Sequence, residues 1–519
     1  MAIHEAKHTL KEISRYAFVV LLAVSPVVKL GASNVREISI SAQLRPATAL
    51  ILLTIGLSFL TYKLVKDRDR AAIFAALFVF LFFSYSHFLN ANGADKFPYI
   101  HWLLWAGLIV IPLAGQWAAK KSETLSKAII TALNVLGTVM IAQSAYTMAA
   151  YPLSMAKAAS GTPIEFSGGS ATQPDVYYII LDAYTRADTL ETQGFDNSDF
   201  IGALESRGFY VAQCSTSNYR FTTLSLSSAL NMDYPWDFIP HKNENDANSL
   251  PIDKSIKQNR VRDIFESMGY RTIAFQTGFL WTEWHDADLY LQPDYHIVIA
   301  PDIQPFERLL VYISAIRPFL DDRSLGVGLG DIFAYQAHIT RINFTLKTLA
   351  ELPSINGPKF VFAHVLIPHP PYVFLPDGSI NKNGAYFDLP NALSTDGELN
   401  QMGYFNNIKT INIRILNVID MILAGSTTPP IIIIQGDHGS WNSDGLDKFT
   451  ILNAYFLPPS NGNELDGIYP RITPVNSFRM IFNRYFGTHY PLLDDLNILS
   501  DIGRPYKNRP APPIPSPCD

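Results

Sequence analysis

The sequence predicts a two-part chain: an N-terminal five-helix transmembrane domain followed by a C-terminal α/β domain with a central, mostly parallel sheet. Three observations predict it. The first 150 residues are apolar in five blocks. Beyond residue 174, strand-like runs without polar alternation are separated by helix-like segments, as in a sheet covered on both faces. The whole chain is 48% hydrophobic and only 17% charged, against roughly 25% charged residues in ordinary soluble domains. At 519 residues and 57.9 kDa there is room for two to four domains. A formal charge of −6 excludes the basic excess that nucleic-acid binding requires.

The five blocks cover residues 14–32, 46–65, 71–90, 98–118 and 127–149. Each approaches the roughly 20 apolar residues needed to cross the hydrocarbon core, and one cleaved signal peptide would not account for the other four. With the N-terminus inside, the cytoplasmic segments hold ten basic residues (Lys7, Lys11, Arg15, Lys63, Lys66, Arg68, Arg70, Lys120, Lys121, Lys127) and the outer segments four (Lys29, Arg36, Arg45, Lys96). That bias sets orientation, and an odd number of spans leaves everything after Tyr151 outside. Trp102, Trp105 and Trp117 read as interfacial anchors, and His87, Asn90 and Asn92 as polar groups able to meet a lipid head group.

Residues 151–173 are rich in Gly, Ser and Pro and read as a linker. In the domain expected at 174–505, DVYYIILDAY, YRTIAF, KFVFAHVLIP and PPIIIIQGDHG are strands, while VRDIFESMG, ITRINFTLKTLAELP and YFNNIKTINIRILNVIDMILA are helices. VNSFRMIFNRYFG is a packing helix, with Arg479 structural, and residues 506–519 form a proline-rich tail, extended or disordered. Cys214 and Cys518 allow one disulfide at most and no cysteine-rich zinc site.

Ligands of open parallel sheets bind beyond the carboxyl ends of the strands. The first strand runs into Asp182, the isoleucine run into Asp437 and His438, and KFVFA into His364, with His369 five residues on. Carboxylates and imidazoles at one rim suit a divalent cation, zinc or manganese. Between these strands, Arg220-Phe221-Thr222-Thr223-Leu224-Ser225 reads as a turn entering a helix. A hydroxyl there is either a plain helix cap or a nucleophile beside the positive helix pole.

Together, the Asp after the first strand, the Thr-x-x-Ser at a helix start some 40 residues on, PHPPY and the late GDHG resemble the alkaline phosphatase and sulfatase superfamily. With the membrane helices, the chain is similar to that superfamily's membrane-anchored transferases, the lipoteichoic acid synthases and lipid A phosphoethanolamine transferases. The resemblance implies Thr222 as the nucleophile that carries a phospho-alcohol, with metal ligands Asp182, Thr222, Asp437 and His438. It implies substrate contacts at His369, His364 and Ser225. It departs from the sulfatases, since Cys/Ser-x-Pro-Ser-Arg is absent and their paired aspartates are reduced to Asp182 followed by Ala183. Where the membrane transferases usually carry Glu, this chain has Asp182, and their Trp-x-Arg run has a loose counterpart in WTEWHD, with His285 in the arginine's place.

The activity so implied is metal-dependent transfer of phosphoethanolamine or phosphoglycerol from a membrane phospholipid donor, through a phospho-threonine, to an envelope glycan or lipid acceptor. It implies a bacterial inner membrane with the catalytic domain facing outward. The alternatives are a membrane-anchored phosphodiesterase, phosphatase or sulfatase-type hydrolase using water as acceptor, and a catalytically inactive envelope assembly protein.

Overall fold

The computed structural model describes residues 14–33, 40–89, 99–156, 173–240, 243–293, 305–320, 329–382, 397–440, 445–459, 467–501 and 503–519. The expectations at Lys7, Lys11, Arg36, Asn90, Asn92 and Lys96, and over 157–172 of the linker, lie outside these residues. The chain divides into two compact units, residues 1–162 with 295–330 and residues 163–294 with 331–519. The stretch 174–505 is therefore interrupted: residues 295–330 belong with the helical unit.

The helical unit contains α1 (Ala17–Ser33), α2 (Ile40–Val65), α3 (Arg68–Phe83), α4 (Tyr85–Leu89), α5 (Ile100–Lys121) and α6 (Glu123–Ala156). Each of the five apolar blocks thus forms helix over most of its described residues. Among the described residues, three of them are long and apolar enough to cross a membrane, in α2, α5 and α6, and α1 is a shorter apolar helix. The expected count of five spans is met only in part. At 1.5 Å per residue, the 16 residues of α3 fall short of the roughly 30 Å hydrocarbon core. Asp69, at the start of α3, accepts hydrogen bonds from Arg15, from Tyr16 (2.6 Å) and from Ser126 on α6 (3.0 Å), joining α3, α6 and the residues just ahead of α1 at one polar point.

The second unit is built on a seven-stranded sheet. Its strands are β1 (Val176–Leu181), β2 (Phe209–Val211), β3 (Arg271–Phe275), β4 (Leu289–Leu291), β5 (Lys359–Val365), β6 (Ile431–Gln435) and β7 (Asn453–Phe456), in the order β2-β7-β6-β1-β5-β3-β4. β6, β1, β5, β3 and β4 run parallel, and β7 and β2 close one edge antiparallel. All six residues of β1 are buried. Tyr177, Ile179 and Leu181 enter the core shared with the helices Leu329–Glu351 and Gly397–Gly425, while Val176, Tyr178 and Ile180 enter the core shared with Arg260–Ser267 and Pro474–Phe486. Both faces are covered, which is why these strands read as unbroken apolar runs. Arg479 donates to the carbonyls of Met232 and Pro491 (both 2.7 Å), the structural role expected of it.

The proline-rich end is extended and held in place. β8 (Ile498–Asp501) pairs antiparallel with β9 (Arg504–Pro510). Arg186 then donates to the Pro515 carbonyl (2.9 Å), and Cys518 is disulfide-bonded to Cys214 across a sequence separation of 304 residues. Closing so long a loop restricts the unfolded chain, an effect of about 2–5 kcal/mol. Cys518→Ser accordingly lowers the unfolding midpoint of the purified protein, and reductant brings the wild type to the same value. Equal midpoints with and without the bridge would contradict this.

Candidate active site

The order β6-β1-β5 sets three parallel strands side by side, so their carboxyl ends open on one point. Asp182 follows β1, His364 is the penultimate residue of β5 and pairs in register with Ile180, and Asp437 and His438 follow β6. Asp182, His364 and Asp437 each offer a ligand atom, and those atoms lie within 4.8 Å of one another. His364 Nε2 is 3.2 Å from Asp182 Oδ2. His438 Nε2 is 3.7 Å from Asp182 Oδ1 and 3.6 Å from Asp437 Oδ2.

Backbone close approach makes this convergence possible. A methyl group at Gly436 would sit 2.3 Å from the Tyr184 carbonyl oxygen, and one at Gly439 2.3 Å from that of Asp447. Both ends of the GDHG motif are therefore sterically committed. Ala183 is left-handed at φ 63°, a conformation that costs a residue with a Cβ roughly 1–2 kcal/mol. That turn aims the Ala183 N–H at Asp437 Oδ1 (3.0 Å), while Tyr404 donates to the Ala183 carbonyl (2.7 Å). Ser225 donates to the Asp437 carbonyl (2.6 Å). Ser225, expected beside the substrate, holds the backbone of an acidic residue in place.

What remains around the centre is buried polar atoms. Both carboxylate oxygens of Asp182, Asp437 Oδ2 and His364 Nε2 are buried without a hydrogen-bond partner. The Nδ1–H of His438 donates to the Gly439 carbonyl (2.7 Å), which can only accept, so in the neutral ring the Nε2 lone pair faces the two carboxylates. His364 Nδ1 lies against Thr282 Oγ1 (3.3 Å), a hydroxyl that can donate or accept, and its Nε2 lies toward Asp182. Burying acceptors without donors is costly unless a cation serves them all. This nitrogen and oxygen donor set fits a divalent ion such as zinc or manganese, with backbone and hydroxyl groups orienting the imidazoles.

Thr222 opens the helix Thr222–Asn231, whose cap residue is Phe221 and offers no side-chain cap bond. Thr222 is thus no cap. Its Oγ1 lies 3.3 Å from His438 Nε2, at the positive pole of a helix whose first N–H groups lack intrahelical partners. His369 is buried nearby. Its N–H donates to the Asp182 carbonyl (3.0 Å), and its ring lies edge-on to Phe279 with centroids 5.6 Å apart. Burial works against the charge on Asp182, but the imidazoles of His369, His364 and His438, where protonated, outweigh it and hold the carboxyl well below its usual range. Burial also pushes His369 down from its ordinary value.

His285 is not brought to this cluster by any described contact. It stacks edge-on against Tyr290, with centroids 4.5 Å apart. The rest of its segment does approach: Phe279 lies against His364 and His369, and Thr282 against His364. Glu283 secures that loop by accepting from the Gly278 N–H (2.7 Å), the Thr277 N–H (3.2 Å) and the Tyr290 hydroxyl. Sequence reasoning missed Thr282, Glu283 and Tyr404, because nothing in local pattern marks a residue that acts by holding another.

No protein-family model matches the chain, and no curated protein does. Solved structures do. The C-terminal periplasmic domain of EcEptC from Escherichia coli, in complex with Zn, matches at 15% identity and a TM-score of 0.38, over 63% of this chain and 87% of that one. The soluble domain of lipooligosaccharide phosphoethanolamine transferase A from Neisseria meningitidis matches at 12% and 0.35, over 61% and 89%. A 2-O GAG sulfatase matches at 13% and 0.36, over 62% and 72%.

Three outcomes follow from this geometry. Asp182→Asn and Asp437→Asn each lower bound zinc or manganese, measured by elemental mass spectrometry, at least tenfold; retention of metal by both would refute the ligand assignment. Ala183→Gly relieves the left-handed strain and leaves the unfolding midpoint equal or higher, where Ala→Gly elsewhere lowers it. The third concerns His338, in the helix Leu329–Glu351, which burial, then the charges of Arg341 and His369, push well below its ordinary 6.5. Unfolded it takes up a proton near that pH and folded it does not, so stability falls as pH drops below about 6.5, by up to about 1.4 kcal/mol per unit. His338→Gln flattens that slope in denaturation curves between pH 6.5 and 5, and an unchanged slope would place the proton elsewhere.

Proposed function

We propose that this chain transfers a phospho-alcohol, phosphoethanolamine or phosphoglycerol, from a membrane phospholipid to a glycan or lipid acceptor of the cell envelope. The observation that carries the reading is the Thr222 hydroxyl at the head of a helix without a side-chain cap, 3.3 Å from an imidazole that borders a set of buried, partnerless ligand atoms. Asp182, Asp437, His438 and His364 would hold the divalent metal. When bound, such an ion supplies positive charge that favours the alkoxide form of a neighbouring hydroxyl and offsets phosphoryl charge.

The chain's own residues do the rest. Thr222 Oγ forms a bond to phosphorus as the bond from phosphorus to the diacylglycerol oxygen breaks, and the hydroxyl proton ends on the departing oxygen. The helix pole steadies the phosphoryl oxygens, and neutral His369, whose Nδ1–H is given to the Pro370 carbonyl (2.5 Å), can accept a proton at Nε2. An acceptor hydroxyl then attacks the phospho-threonine, and its proton ends on Thr222 Oγ. The reading sets the catalytic unit outside the inner membrane of a bacterium. The ten-to-four bias of basic residues supports that side, as does the Cys214–Cys518 bridge, which persists in oxidising compartments.

Intact mass of wild type and Thr222→Ala, after incubation with mixed phospholipids and zinc or manganese, tests this. The wild type gains a mass increment whose size names the head group, and the variant gains none and loses transfer by about 10³-fold or more. Release of free phospho-alcohol with no transfer to any acceptor would make the enzyme a hydrolase, and no reaction would support the inactive assembly protein.

A further inference from the structure

The segment 305–320 lies within the sequence of the catalytic half yet packs with the helical unit. It forms two short helices, Pro305–Tyr312 and Arg317–Leu320. Phe306, Leu310 and Ile313 share a core with Ala23, Val27 and Leu30 of α1 and Leu50 of α2, and Ala315 shares one with Tyr85, Leu89 and Leu108. The Ser86 N–H donates to the Ile313 carbonyl (2.9 Å), and the Ala315 N–H to the Phe82 carbonyl (2.8 Å). Arg45 pairs with Glu307 at 3.1 Å. These contacts fall on the carboxyl ends of α1 and α3 and the amino ends of α2 and α5, which is one and the same end of the helical unit.

Having buried one apolar row, the segment turns another outward. Phe319 is 62% exposed, and Ile316 and Tyr312 are exposed beside it. Phe319 lies edge-on to Trp105, with centroids 5.7 Å apart, near the start of α5, where Trp102 is 76% exposed. α5 is itself long and apolar enough to cross a membrane. An aromatic and aliphatic rim at the end of such a helix is the composition of the lipid–water boundary. At 16 residues, broken between its two helices, the segment is too short to cross, since a span needs about 20. Both of its ends lead back to the second unit, so it must enter and leave on one side.

We propose that residues 305–320 are a second membrane attachment of the catalytic unit, seated in the bilayer interface with Ile316 and Phe319 in contact with lipid. The catalytic unit is then joined to the helical unit by three stretches of chain, after residue 162 and on either side of 295–330. Cutting the linker does not free it. The attachment holds the second unit to the membrane whatever reaction that unit performs. The proposal rests on reading the helical unit as membrane-spanning.

A protease recognition sequence placed in 157–172 of the full-length protein, cleaved in isolated membranes and followed by an alkaline carbonate wash, tests the attachment. The C-terminal fragment is expected to sediment with the membranes alongside the N-terminal one, and Phe306→Glu/Leu310→Glu/Ile313→Glu to release it after cleavage. Release of the wild-type C-terminal fragment while the N-terminal fragment stays in the membrane would overturn the proposal alone. Finding the N-terminal fragment in the wash would overturn the membrane reading with it. Lipid contact is read separately with Phe319→Cys, a surface change that spares the packed row, bearing a nitroxide in reconstituted liposomes; both native cysteines are bridged and do not take the label. The nitroxide is expected to collide more often with oxygen than with a water-soluble nickel chelate. The reverse order, or protection from both by a second copy of the chain, would overturn it.

Discussion

The candidate site in the second unit answers to one electrostatic constraint, the gathering of two buried carboxylates and two imidazoles around a single point. Unpaired acceptors in a low-dielectric interior repel one another and forgo water, at several kcal/mol per charged group. Such a centre persists only where the surrounding structure leaves it no room to relax and a cation can satisfy it. The sheet order provides the first condition, since β6, β1 and β5 are neighbours, parallel and covered on both faces. Glycines at 436 and 439 and a left-handed Ala183 then let three backbones approach within contact of one another.

Holding groups extend that logic outward. Ser225 and the Ala183 N–H fix Asp437, Gly439 and Thr282 orient the two imidazoles, and Glu283 secures the loop that carries Thr282. None of these residues needs to touch a substrate. Their effect is to set ring orientation and lone-pair direction, the properties that tune a ligand set from behind. Thr222 gains its position from a different element, a helix whose cap residue leaves the terminal N–H groups for whatever anion sits beside the hydroxyl.

The chain's connectivity is as constrained as its centre. Cys214 and Cys518 close the second unit on itself, and residues 295–330 return to the helical unit from the middle of the catalytic sequence. Neither tie depends on the linker.

The sequence by itself determined the alternation of elements, the apolar helices and the nature of the sheet, since these follow from short-range periodicity. An isoleucine run ending in Gly-Asp-His-Gly can only be a buried strand delivering polar groups to its tip. Asp437 and His438 stood out in the sequence for that reason, whereas Thr222 was singled out only by the family resemblance. Other assignments depended on distance in space. His364 reads as a residue near substrate until strand order places β5 next to β1 and brings its Nε2 within 3.2 Å of Asp182, whereas His285, one turn of chain from the site in sequence terms, faces Tyr290 instead. Span number, too, was only partly legible, because hydropathy marks where a helix is apolar and not where it stops. With two cysteines the sequence allowed a single pairing, but that the bridge forms across 304 residues, and that 305–320 returns to the helical unit, was decided by tertiary structure, for both join stretches far apart in the chain.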